Sequence, residues 1–131
     1  MLTISKNIKE IKVGGQTQLV LDCAEFNHML EVHEYLKKEL SFESSYKGDL
    51  DILFDDLCNL PEYKCPLQLI LRNPTEFLKD PEEREELFCL LNDVQETWSN
   101  AKNNAFFTVV LEDFEKSQDF FEMLFIKIER I

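Results

Sequence analysis

Four aspartates crowd one short apolar segment: Asp49, Asp51, Asp55 and Asp56 lie in Ser45–Leu60, SYKGDLDILFDDLCNL. On a helix, carboxylates at i and i+4 stand about 6 Å apart on one face. Asp51 and Asp55 have that spacing, with Phe54 beside them. Such a pair suits two kinds of chemistry. It could act as acid and base in hydrolysis. It could also engage Arg, Lys and His side chains, because its spacing resembles that of successive phosphates along a nucleic-acid backbone. The first use needs a third group, a pocket or a metal, and the sequence offers none of these.

Other routes to catalysis are equally bare. The chain contains no GxGxxG, GxxxxGK[ST], GxSxG or HExxH. It has three Gly in all, two of them adjacent at Gly14–Gly15, which leaves nothing to cradle a phosphate. Cys23 and His28 are the nearest thiol and imidazole in sequence, but a strand end and a helix start make a poor nucleophile–base pair. His28 and His33 stand near no pair of cysteines, so no metal site is expected. The reading is a protein without catalytic residues, cofactor or metal, whose acidic helix serves recognition.

The bulk numbers agree with a binding role. The chain has 131 residues, 14 Lys and Arg against 26 Asp and Glu, and a formal net charge of −12. That excess disfavours direct binding to nucleic acid or an anionic membrane. It fits a basic protein partner, or solubility alone. Hydrophobic residues make up 44%, enough for one packed core, so residues 1–131 are expected to form a single domain. No run approaches the roughly 18 apolar residues of a membrane span. Lys and Glu interrupt Met1–Gln16, so no secretory leader is read there. Cys23, Cys58, Cys65 and Cys89 show no paired spacing and are expected as reduced, buried thiols in the cytoplasm.

The elements that must position these residues follow from periodicity. Ile11–Val13, Gly14–Gly15 and Gln16–Cys23 read as a strand, a tight turn and a stronger strand, since Gly-Gly supplies the positive φ of a hairpin. A helix follows from an N-cap at Asn27 to about Leu40, with Met29, Leu30, His33, Leu36 and Leu40 on its apolar face. Asp49–Leu60 is the second helix, with Leu50, Leu53, Phe54, Leu57 and Leu60 buried and Ile52 turned away. Its acids fall on two flanks, Asp51 with Asp55 and Asp49 with Asp56. Asp49 also suits the helix N-cap, and Asp56 a solvated surface.

Leu67–Arg72 is a strand, and Asn73–Asp80 is a connection with room for a short helix. Pro81 opens a long helix, with acids in its first turn and Leu87, Leu90, Leu91, Val94, Trp98 and Ala101 facing the core. Asn103–Asn104 stop it. Phe106–Leu111 is the next strand, and Phe114–Ile131 reads as a short helix running into a strand. Strands separated by helices of this length imply parallel crossovers and a two-layer or three-layer α/β fold.

The run His33–Leu57, HEYLKKELSFESSYKGDLDILFDDL, resembles the barstar family of ribonuclease inhibitors. The likeness rests on a histidine-led helix ending Leu-Lys-Lys-Glu-Leu, a loop with tyrosine and glycine, and a helix with the pattern Leu-Asp-x-Leu-aromatic-Asp. It extends in pattern from Gln18 to Leu111. The resemblance implies an α/β fold with a three-stranded parallel sheet packed against helices. It places that core at about 16–112, with an added N-terminal hairpin and an extension over 113–131.

It also implies a function, holding a cytotoxic ribonuclease inactive inside the cell that makes it. The family's two central aspartates fall on Asp51 and Asp55, its helix tryptophan on Phe54 and a loop tyrosine on Tyr46. Ile52 and Asp49 complete the expected partner-binding set. Departures stand at Ser45 (in place of a tyrosine), Gly48 (one position late), Asp49 (in place of asparagine), Leu60 (in place of a tryptophan) and Asn100 (in place of a glutamate). The expected partner is therefore a basic nuclease toxin other than the one the family is best known for. The alternative is a barstar-like interaction or regulatory module without a nuclease target.

Overall fold

The structure, a computed structural model, describes residues 1–8, 17–42, 49–60, 66–101 and 107–131. The expected strand at 11–13 with its Gly14–Gly15 turn lies outside the described residues, as do Tyr46, Gly48, Cys65 and the Asn103–Asn104 stop.

The described residues form five strands and four helices: β1 (Leu2–Ser5), β2 (Thr17–Asp22), α1 (Met29–Leu40), α2 (Leu50–Cys58), β3 (Leu67–Arg72), α3 (Pro81–Ala101), β4 (Phe107–Glu112), α4 (Ser117–Met123) and β5 (Ile128–Arg130). A single turn of 3-10 helix, Pro74–Glu76, occupies the connection after β3. The strands form one sheet in the order β2-β3-β4-β1-β5, every neighbour parallel. The chain is thus α/β, and β2, β3 and β4 are the three-stranded core the resemblance implied. Its two ends enlarge that core. The N-terminal segment contributes β1, which joins the far side of the sheet from β2, pairing Thr3 with Val110. The tail is a helix running into a strand, as read from its sequence, and β5 pairs with β1 through Leu2 and Ile128.

Strands buried on both faces carry near-continuous apolar runs. Leu67, Leu69 and Leu71 of β3 join Phe107, Val109 and Leu111 of β4 in the main core beneath the helices. Ile70 and Val110 point the other way and pack with Ile8. Four phenylalanines weld α4 to this core. Phe88 of α3 meets Phe77, Phe120 and Phe121 with ring centroids 6.2, 5.7 and 5.7 Å apart. Edge-on aromatic contacts of this kind add to the area they bury.

The helix faces differ from expectation in detail. On α1, Val32 is buried where Leu30 was expected, and Leu30 is 47% exposed. Leu30 sits one residue, about 100°, round the helix from Met29, and that rotation carries it to the wet side. The first turn of α1 is closed by Glu31, whose Oε1 accepts from the backbone N–H groups of Asn27 and His28, each at 3.0 Å. On α2, Leu53 and Leu57 are fully buried, but Leu50 and Phe54 stay half-exposed.

Candidate functional site

Helix α2 is nine residues long, too short to hold itself in water, so its shape depends on what grips it. Asp49 closes its N-terminus: Oδ1 accepts from the backbone N–H of Asp51 at 2.8 Å and of Ile52 at 3.1 Å. That satisfies donors left unpaired in any first helical turn. The indole N–H of Trp98, on α3, donates to the Leu57 carbonyl at 2.9 Å. On the other side, His33 of α1 lies fully buried with Nε2 3.2 Å from Oδ2 of Asp56. Asp56 is therefore a tether between α1 and α2, with a side chain only 15% exposed, and not the solvated surface its sequence position suggested.

The remaining acids of α2 have a different status. Asp51 and Asp55 are both exposed. Among the described residues, no hydrogen bond or ion pair reaches either carboxylate. Ile52 and Phe54 lie half-exposed on the same helix. Of the six residues singled out from the sequence, five therefore stand on or at the start of α2: Asp49, Asp51, Ile52, Phe54 and Asp55. Asp49 has one carboxylate oxygen committed to the cap. Tyr46 lies outside the described residues.

Sequence reasoning missed a groove beside Phe54. It has a volume of about 500 Å³ and runs between the N-terminal halves of α2 and α3. Leu50, Phe54, Cys89, Leu90 and Leu124 give it apolar walls. Asp51, Glu82, Glu85, Glu86 and Asp93 add five carboxylates. The acids at the start of α3 were read only as helix-start preference, and nothing local tied Leu124 to α2.

The chemistry of other groups is quiet. Cys23, Cys58 and Cys89 are free thiols. Cys23 is buried as expected, whereas Cys58 and Cys89 are only partly so. Burial, and after it the neighbouring Asp22 carboxylate, holds the Cys23 thiol far above its ordinary range. It stays protonated at neutral pH and is a poor nucleophile. Among the described residues no group of three or more His, Cys, Asp or Glu is placed to hold a metal ion. No described helix is long and apolar enough to cross a membrane.

A family model described as Barstar (barnase inhibitor) matches residues 16–122. The match begins at the threshold of β2, contains α2 whole and ends inside α4, leaving β1 and β5 beyond it. No curated protein matches the chain.

Proposed function

The chain belongs to the barstar (barnase inhibitor) family, and from that premise we propose that it is a cytoplasmic immunity protein that blocks the active site of a basic ribonuclease toxin. One observation carries the reading: of the four aspartates of α2, only Asp51 and Asp55 present carboxylates with no partner among the described residues. Asp49 is held by the cap and Asp56 by His33. A rigid helix thus offers two negative groups one turn apart to whatever docks on it.

The mechanism follows from charge and shape. A ribonuclease binds its substrate's phosphates with Arg, Lys and His. Asp51 and Asp55 enter that cleft and accept hydrogen bonds from the same cations, so inhibitor and RNA exclude one another. Charge-assisted bonds of this kind are shorter and stronger than neutral ones. Burying the carboxylates is costly unless each finds its partner, which makes the match specific as well as tight. Phe54 and Ile52 supply apolar contact beside the pair, and Tyr46 adds an aromatic from the preceding loop, as interface centres favour. Asp49 contributes its charge at the helix start. The net charge of −12 draws a basic partner in from solution. The chain acts by occupying the cleft, without cofactor, small-molecule substrate or direct contact with nucleic acid. Ser45, Gly48, Leu60 and Asn100, where the family interface pattern is not kept, point to a nuclease distinct from the family's best-known target.

The test is binding and inhibition of the nuclease encoded beside this chain's gene. Asp51→Ala and Asp55→Ala are each expected to weaken affinity at least tenfold. Truncating one side of a buried charge pair costs about 2–5 kcal/mol, and the barnase–barstar complex is itself a worked case of coupling between such charges. Losses below tenfold for both variants would remove α2 from the interface.

A further inference from the structure

Resting on the reading of α2 as the inhibitory helix, we propose that the groove between α2 and α3 receives a second segment of the nuclease. That segment is an amphipathic helix with Lys or Arg along one flank and aliphatic or aromatic side chains along the other. The groove combines two demands that few occupants meet. Its walls include Leu50, Phe54 and Leu124, apolar side chains left half-exposed. Its other lining residues include Asp51, Glu82, Glu85, Glu86 and Asp93, and among the described residues no Lys, Arg or His lines it. A purely apolar occupant would strand the carboxylates, and a purely cationic one would leave the apolar walls wet. A second copy of this chain would set acid against acid, at a net charge of −12 on each side. A basic amphipathic helix satisfies both demands, and helix-in-groove docking is a common recognition mode.

The corner that supplies Leu124 strengthens the case. Phe125 is 96% exposed and Met123 is 73% exposed. Phe125 also stands at a φ of 58°, a left-handed conformation that is uncommon for a bulky side chain. The backbone around it is firmly tied: Phe125 N–H donates to Glu122 O at 3.0 Å, and Ile126 N–H to Phe121 O at 2.9 Å. The fold therefore holds a phenylalanine ring out in water next to a groove-lining leucine. The groove is also continuous with the surface proposed for inhibition, because Asp51 and Phe54 belong to both.

The probe is a synthetic helical peptide of Lys and Leu with all its Leu on one face. Its control has the same composition scrambled so that no apolar face forms. Titrated into the isotope-labelled full chain, the amphipathic peptide is expected to shift resonances of Leu50, Phe54, Leu90 and Leu124, and the scrambled one to leave them in place. Equal binding of both peptides, or shifts that map elsewhere, would overturn the groove. The triple variant Glu82→Gln, Glu86→Gln, Asp93→Asn and the variant Phe125→Ser are each then measured against the nuclease. Each is expected to weaken affinity about tenfold while keeping the wild-type unfolding midpoint. Unchanged affinity for both would also overturn the proposal. Asp55 does not line the groove, so Asp55→Ala separates the two readings. If it abolishes inhibition but retains the peptide, both stand. If Asp51→Ala and Asp55→Ala inhibit like the wild type, the inhibitory role of α2 falls, whatever the peptide does.

Discussion

The aspartates of α2 are alike in the sequence and unlike in the fold. Asp49 is the cap, and Asp49→Ala is expected to lower stability by about 0.5–2 kcal/mol, read as a lower urea midpoint with an unchanged slope. Asp49→Ser, which keeps an acceptor, is expected to recover most of it. The spacing of Asp51 and Asp55 was legible because a helical face depends only on i and i+4. Asp56 was not legible, because its partner His33 stands 23 residues away on another helix. The same limit applied to His33 itself. Its place on an apolar stripe marked it correctly as packed, while the carboxylate it meets depends on how α1 and α2 come together.

At the scale of elements, the tail is held by a small polar latch and a large aromatic one. Ser117 Oγ donates to Asp113 Oδ1 at 2.6 Å, and Arg130 reaches both Asp113, at 2.6 Å, and Ser117, at 3.0 Å. Burial pushes the Asp113 carboxyl up, but the Ser117 hydroxyl and the Arg130 guanidinium outweigh it and hold the carboxyl below its ordinary 3.8. A carboxylate lowered by folding stabilises the native state above the unfolded value and loses that contribution as pH falls through the folded one. The wild-type unfolding midpoint is therefore expected to drop below about pH 4. Asp113→Asn should show a smaller drop across the same window in a pH series of thermal melts.

The aromatic latch is tested by Phe121→Ala. Phe121 is fully buried against Phe88, Phe114 and Phe120, and its truncation is expected to cost about 3–5 kcal/mol. Strands β3 and β4 and helix α3 were readable because long apolar runs and a Pro-led acidic start are local signals. Strand β1 was not, since four residues carry little pattern and its place is set by pairing with β4 and β5, both distant in sequence. β2 pairs in parallel with β3 through a crossover, while the hairpin partner expected for it at 11–13 lies outside the described residues.

Across the whole molecule, the charge acts on how fast a partner arrives more than on how long it stays. The rate of association with the proposed nuclease partner is expected to fall steeply between low salt and roughly 1 M, as the Debye length shrinks from about 30 Å to about 3 Å. The dissociation rate should change far less. Stopped-flow measurements across a salt series read both. A flat association rate would mean that the net charge of −12 serves solubility alone.

The position of β1 has a consequence for the making of the protein. β1 is made before the other described strands, yet it lies between β4 and β5, the last two of them. While the chain is still on the ribosome, β2, β3 and the helices between them can begin to gather, but Leu2–Ser5 has neither neighbour to pair with until β4 and then β5 have emerged. Its Leu2 and Ile4, both buried in the finished core, lack these neighbours until then. The sheet therefore closes only after β5 has been made, and a chain cut short before Ile128 would leave one edge of β1 without its partner.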